Sequence, residues 1–159
     1  MTSPRTEAKL EIEAPEYHLD DHISYLVNRV GSGLATLFSE EAKQFELSMF
    51  MWRVLTVLID RGEQRLIDLA ELTSIESSTL SRVTDAMQKR RIISRVRSRS
   101  NRRELVISAT NLGREIACTL IPAAGRIESL ATEGISAEDI ETTKQTLRRM
   151  YLQLKGHLD

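Results

Sequence analysis

Nine basic residues lie between Arg82 and Arg103: Arg82, Lys89, Arg90, Arg91, Arg95, Arg97, Arg99, Arg102 and Arg103, opposed within that stretch only by Asp85. The rest of the chain holds 13 basic and 22 acidic residues, so the overall net charge of −1 conceals a strongly polarised molecule. Cations concentrated in this way, with pairing acids mostly elsewhere in the sequence, suit a polyanion. Just before and among them stand Ser77, Ser78, Thr79 and Ser81. Short hydroxyl side chains beside Arg82 supply donors and acceptors for base edges and leave a helix thin enough to enter a major groove. The residue types therefore point to double-stranded DNA. Ser77, Ser78, Thr79, Ser81 and Arg82 are the candidate readers, and Arg95, Arg97, Arg99, Asn101, Arg102 and Arg103 the basic run beside them. Two rival readings use the same residues: a solvated, salt-bridged face, and a basic hairpin that docks an acidic protein.

Other reactive residues are sparse. His18 and His22 stand four apart with Asp20 and Asp21 between them, a spacing that can hold a metal. With no cysteine or third histidine nearby, two solvated surface histidines are expected, and no metal site is predicted. Cys118 stands alone, which excludes an intramolecular disulfide and a cysteine-rich zinc site. It reads as packing; a thiol sensor is the alternative. The sequence shows no glycine-rich phosphate loop and no nucleophile elbow, and its histidines are confined to the two ends, so an enzyme is not expected and no cofactor is predicted.

The elements that must position the basic residues follow from periodicity. Residues 1–17 lack a clear period and read as an arm. Ile23, Leu26, Val27, Val30, Leu34, Leu37 and Phe38 then recur at steps of three and four, one apolar stripe of a helix that Asp20 or Asp21 caps. A second helix starts after Ser48 and ends at Gly62, with Met51, Trp52, Leu55, Leu58 and Ile59 inward. A short helix over Leu66–Thr73 and another from Ser77 to Arg90 follow, the latter burying Leu80, Val83 and Met87. Two short helices, the second with a small polar and basic outer face, make a helix-turn-helix pattern. Ile92, Ile93 and Val96 lead into the basic run, and Leu105-Val106-Ile107 returns as a strand, a hairpin with a basic tip. Thr110 caps a long helix that runs past Pro122, and Ser136 caps the last one. The fold class expected is mainly α with one small β-hairpin.

Composition agrees. With 41% hydrophobic and 28% charged residues, the 159-residue chain can bury a core, and 4% aromatics suit helices better than a sandwich or barrel. No apolar run approaches the ~20 residues of a membrane span. The segment 1–15, with Glu7, Glu11 and Glu13, does not read as a signal peptide, so a cytoplasmic protein without a membrane partner is expected. The terminal helices carry more apolar surface than a module of about 50 residues can cover. Pairing with a second copy is the economical solution, through Ile23, Leu26, Leu147, Tyr151, Leu154 and Leu158.

Three segments in register resemble the MarR family of winged helix-turn-helix transcriptional regulators. They are Leu47-Ser48 through Trp52-Arg53-Val54-Leu55; Leu69-Ala70-Glu71 with Ser78-Thr79-Leu80-Ser81-Arg82-Val83-Thr84-Asp85 and Lys89-Arg90; and Asn101-Arg102-Arg103-Glu104-Leu105-Val106-Ile107-Ser108-Ala109-Thr110-Asn111-Leu112-Gly113. The resemblance implies a winged module over 48–110, an N-terminal dimerisation helix over 18–47 and C-terminal dimerisation helices over 111–159. It also implies a homodimeric, ligand-responsive repressor, released by a small aromatic or phenolic acid or its thioester. Phe38, Met49, Met51 and Trp52 would line that pocket, with Arg29 or Arg53 on the anion; plain core is the alternative for each. Three places depart from the family pattern. Asn101 replaces the acid that braces the wing arginine, Arg91 stands where a glycine closes the recognition helix, and Glu76 takes the place of a small capping residue.

Overall fold

The computed structural model describes residues 16–97 and 105–157. In chain order these form α1 (Ile23–Ala42), α2 (Met49–Arg61), β1 (Gln64–Arg65), α3 (Leu66–Thr73), α4 (Ser77–Lys89), β2 (Ile93–Arg97), β3 (Leu105–Ala109), α5 (Asn111–Ala131) and α6 (Ala137–Lys155). Leu158 and most of the expected N-terminal arm lie outside the described residues. The helix boundaries follow local chemistry. The Ser48 hydroxyl accepts the Met51 amide at the start of α2, Thr110 accepts the Gly113 amide at the start of α5, and Ser136 accepts the Asp139 amide at the start of α6. Pro122 lies within α5, and the helix continues through it.

The first helix departs from expectation. Leu19–Asp21 close a short 3-10 turn, and the extended residue before α1 is His22, not either aspartate. No side chain caps this end, because both carboxylates belong to the preceding turn.

β2 and β3 pair antiparallel from Ile93 opposite Ala109 to Arg97 opposite Leu105. β1 adds a third strand, Gln64 opposite Ile107, to give the order β1-β3-β2. Two residues of polar sequence carry no periodicity, which is why this strand escapes sequence analysis. The core runs from Leu55 and Leu58 on α2 through Leu69, Leu80 and Met87 to Ile92, Ile93 and Ile107, and reaches α5 at Ile116 and Leu120. Val83 and Ile59 sit at its edge and Thr84 is buried in their stead; its hydroxyl donates to the Leu80 carbonyl at 3.0 Å, so it enters the core as a satisfied group.

The join between α4, the sheet and α5 is tight. Arg91 adopts φ 59°, the left-handed conformation that a glycine would take most easily. The next carbonyl, that of Ile92, accepts both the Thr110 amide at 3.1 Å and the Thr110 hydroxyl at 2.9 Å. Gly113 packs directly on this carbonyl, where a Cβ would overlap the oxygen. Thr110 thus caps α5 and holds it to the end of α4.

At the other extreme, none of the 19 residues of α6 is buried. Leu147, Tyr151, Leu152 and Leu154 are all exposed on it, as are Ile23, Leu26, Val27 and Val30 on α1.

Candidate nucleic-acid interface and effector cavity

The outer face of α4 is built by what its inner face buries. Leu80, Thr84 and Met87 point into the core, which turns Ser77, Ser78 and Arg82 outward, with Thr79 and Ser81 half-buried beside them. Arg82 has only a long 3.5 Å contact to the Thr79 hydroxyl, so its guanidinium can reach beyond the helix. Ser78 is differently placed. Its amide donates to a Glu76 oxygen at 2.9 Å, and its hydroxyl donates to the same carboxylate. The Thr79 amide also donates to Glu76, at 3.1 Å. The Ser78 hydroxyl followed by these amides holds the Glu76 carboxyl below the usual range, and the residue stays charged. A fixed negative charge therefore occupies the helix end where a DNA phosphate would otherwise find free amides.

Arg95 is placed apart from the rest of the basic run. It projects from β2 onto α4, where its guanidinium is ion-paired with Asp85 and its side chain is only 12% exposed. It is a brace between hairpin and helix, because Asp85 is the acid in reach. Arg97 stays exposed at the end of β2. Arg99, Asn101, Arg102 and Arg103, the expected tip, lie outside the described residues. Arg90 is also committed inward. Its guanidinium donates to the Glu46 carbonyl at 2.7 Å and to the Phe45 carbonyl, tying the end of α4 to the turn after α1. Neither brace has a local sequence signal; the partners of Arg90 lie more than forty residues away.

A cavity of about 360 Å³ opens between α1, α2 and α5. It brings together Phe38, Met49, Trp52 and Arg53, all four expected at a pocket. The Phe38 and Trp52 rings meet at 4.7 Å between centroids, tilted by 31°. Two expected residues are elsewhere. Arg29 lies over the Tyr25 ring at 5.5 Å, one turn back on α1, and Met51 turns toward Arg90. Sequence analysis missed the α5 wall of Ala124, Ile127 and Glu128; their helical spacing reads equally as core.

The remaining candidates stand apart from both sites. His18 contacts Glu16 at 3.2 Å, His22 stacks on Tyr17 at 4.1 Å, and Cys118 is an exposed free thiol. Among the described residues no three His, Cys, Asp or Glu side chains converge as a metal site, and no helix is long and apolar enough to cross a membrane.

A helix-turn-helix, a hairpin packed on its second helix and long flanking helices are thus on one chain. A sequence model of the MarR family matches residues 47–105, the segment that holds the helix-turn-helix and most of the hairpin. Within that segment the chain is similar to the MarR family. Along 150 residues it is 19% identical to the transcriptional repressor NicR of Pseudomonas putida, covering 94% of this chain and 95% of the relative. A probable transcriptional regulator from Pseudomonas aeruginosa shares the fold with a TM-score of 0.72 at 26% identity, over 84% of this chain and 99% of the other. BpsR of Bordetella bronchiseptica, whose DNA binding is regulated by 6-hydroxynicotinic acid, aligns with a TM-score of 0.73 at 22% identity, over 81% and 98%.

Proposed function

We propose that this chain is a DNA-binding transcription regulator of the MarR type that acts as a homodimeric repressor on a pseudo-palindromic operator and leaves it when a small aromatic or phenolic acid, or its thioester, enters the cavity between α1, α2 and α5. Ser77, Thr79, Ser81 and Arg82 read bases, and Arg97 with the tip residues Arg99, Asn101, Arg102 and Arg103 lies along the backbone and minor groove. The unburied apolar faces of α1 and α6 meet their equivalents in the second copy.

One observation carries the ligand-responsive reading: the cavity is walled by α1, which bears an unpartnered apolar stripe, and by α2, which packs on the reading module. A molecule there touches both the dimerising helix and the DNA-binding head. Its size falls in the range of about 300–1,000 Å³ typical of small-molecule sites. Arg53 stands at it with no ion-pair partner among the described residues, ready for a carboxylate. Regulation of the similar protein BpsR by 6-hydroxynicotinic acid supports an aromatic acid. Such a ligand shifts the dimer between DNA-competent and incompetent states only by its differential affinity, so operator must weaken ligand binding by the factor with which ligand weakens operator binding.

The test is fluorescence anisotropy of labelled operator during titration with aromatic acids and their thioesters. Release by an acid, abolished in Arg53→Met, is expected. Release by oxidant or zinc alone, with no response to any acid, would overturn the assignment.

A further inference from the structure

We propose that Glu128 selects the effector: the cavity takes a monoanionic aromatic acid that carries an O–H or N–H donor on the ring edge away from its carboxylate, and rejects a second anionic group there. This rests on the reading of the cavity as the effector site.

The cavity contains one cationic and one anionic side chain. Arg53, on α2, brings donors only; Glu128, on α5, brings acceptors only while ionised. The rest of the lining is apolar, with Leu34 and Phe38 from α1, Trp52 from α2 and Ile127 from α5. A flat ring suits these walls, and the two charges set its polarity. A ligand carboxylate belongs at the guanidinium, on α2, and a ring that also reaches α5 brings its other edge to the half-exposed Glu128 carboxylate. A donor at that edge forms a charge-assisted hydrogen bond; an ether or halogen forms none; a second carboxylate meets like charge.

Glu128 also links the cavity to α6. Lys144 reaches it at 2.9 Å, with both side chains about half exposed. An exposed ion pair of this kind is weak, so a ligand donor competes with Lys144 for the same oxygens. Occupancy is thereby felt on α6, the helix with no buried residue of its own.

The experiment is calorimetric titration of the full chain with four matched probes: 4-hydroxybenzoate, 4-aminobenzoate, 4-methoxybenzoate and benzene-1,4-dicarboxylate. The two donor acids are expected to bind about tenfold more tightly than the methoxy acid, the size of one good hydrogen bond. The dicarboxylate should bind weakest, and Glu128→Gln, whose amide can donate, should improve it about tenfold while narrowing the gap among the others. If the acids bind but donor and methoxy probes are equal, and Glu128→Gln leaves the dicarboxylate unchanged, the selectivity role of Glu128 is overturned and the effector site stands. If none of the four binds wild type or variant, both fall.

Discussion

At the scale of single residues, the side chains around α4 divide into those free to reach DNA in the proposed complex and those that hold the helix in shape. Arg82 belongs to the first group, being exposed with one long contact. A base contact by such an arginine is worth about 1–3 kcal/mol, so Arg82→Ala should weaken operator binding at least ~10-fold, and Lys89→Ala less. Operator titration with both variants checks this; equal affinities for wild type and Arg82→Ala would remove its assigned role. Glu76 belongs to the second group. Its carboxyl is held below the usual range by the Ser78 hydroxyl and the Ser78 and Thr79 amides. A depressed folded value means that the cap stabilises α4 above the ordinary carboxylate range and loses that contribution as pH falls through the folded value. Glu76→Ala should therefore lower Tm at neutral pH, with the difference from wild type shrinking toward strongly acidic pH. Thermal unfolding across that range measures it. Because the same charge repels phosphate, Glu76→Gln should bind random duplex more tightly than wild type.

At the scale of elements, the critical joint is between the recognition helix, the hairpin and α5. It closes on Gly113, where a Cβ would overlap the Ile92 carbonyl oxygen. Backbone cannot give way as a flexible side chain can, so Gly113→Ala should destabilise by about 1–3 kcal/mol, the range of overpacking. Chemical denaturation measures this, and an unchanged midpoint would mean that α5 is not seated as described. Much of this architecture is legible in the sequence. Leu66–Thr73 and the starts of α2, α4, α5 and α6 follow from caps and three-four periodicity, because those signals are local. What escapes is non-local. β1 has no pattern of its own, the Asp85–Arg95 brace joins two elements, and Arg90 meets carbonyls in the turn after α1. The basic run is visible as charge, but charge does not say which arginine is committed inward; Arg95 and Arg90 are, and Arg82 and Arg97 are not. The same limit hides Glu128, which becomes part of a site only when α5 packs beside α1 and α2. At the hairpin tip, replacing Arg99, Arg102 or Arg103 by alanine should reduce the salt slope of DNA binding by about 1 for each arginine that neutralises a phosphate.

At the scale of the whole molecule, the described chain leaves α6 without a buried residue and α1 with Ile23, Leu26, Val27 and Val30 exposed. Apolar faces of this extent call for cover, and a second copy supplies it symmetrically. Replacing Leu147 and Leu154 by Asp should place unpaired charge in the proposed interface and give monomer or aggregate in analytical ultracentrifugation, where wild type is expected to sediment as a dimer. The proposed dimer also sets what the DNA should look like. Two copies of α4 related by a twofold axis would demand two related half-sites separated by about one helical turn, ~10 bp centre to centre. Selection of bound duplexes from a random library tests this most directly, since it presumes no operator and no ligand. Enrichment of a single pseudo-palindromic site is expected, with recovery sharply reduced by Arg82→Ala. Recovery of an asymmetric single half-site, or no enriched sequence at all, would contradict the proposal.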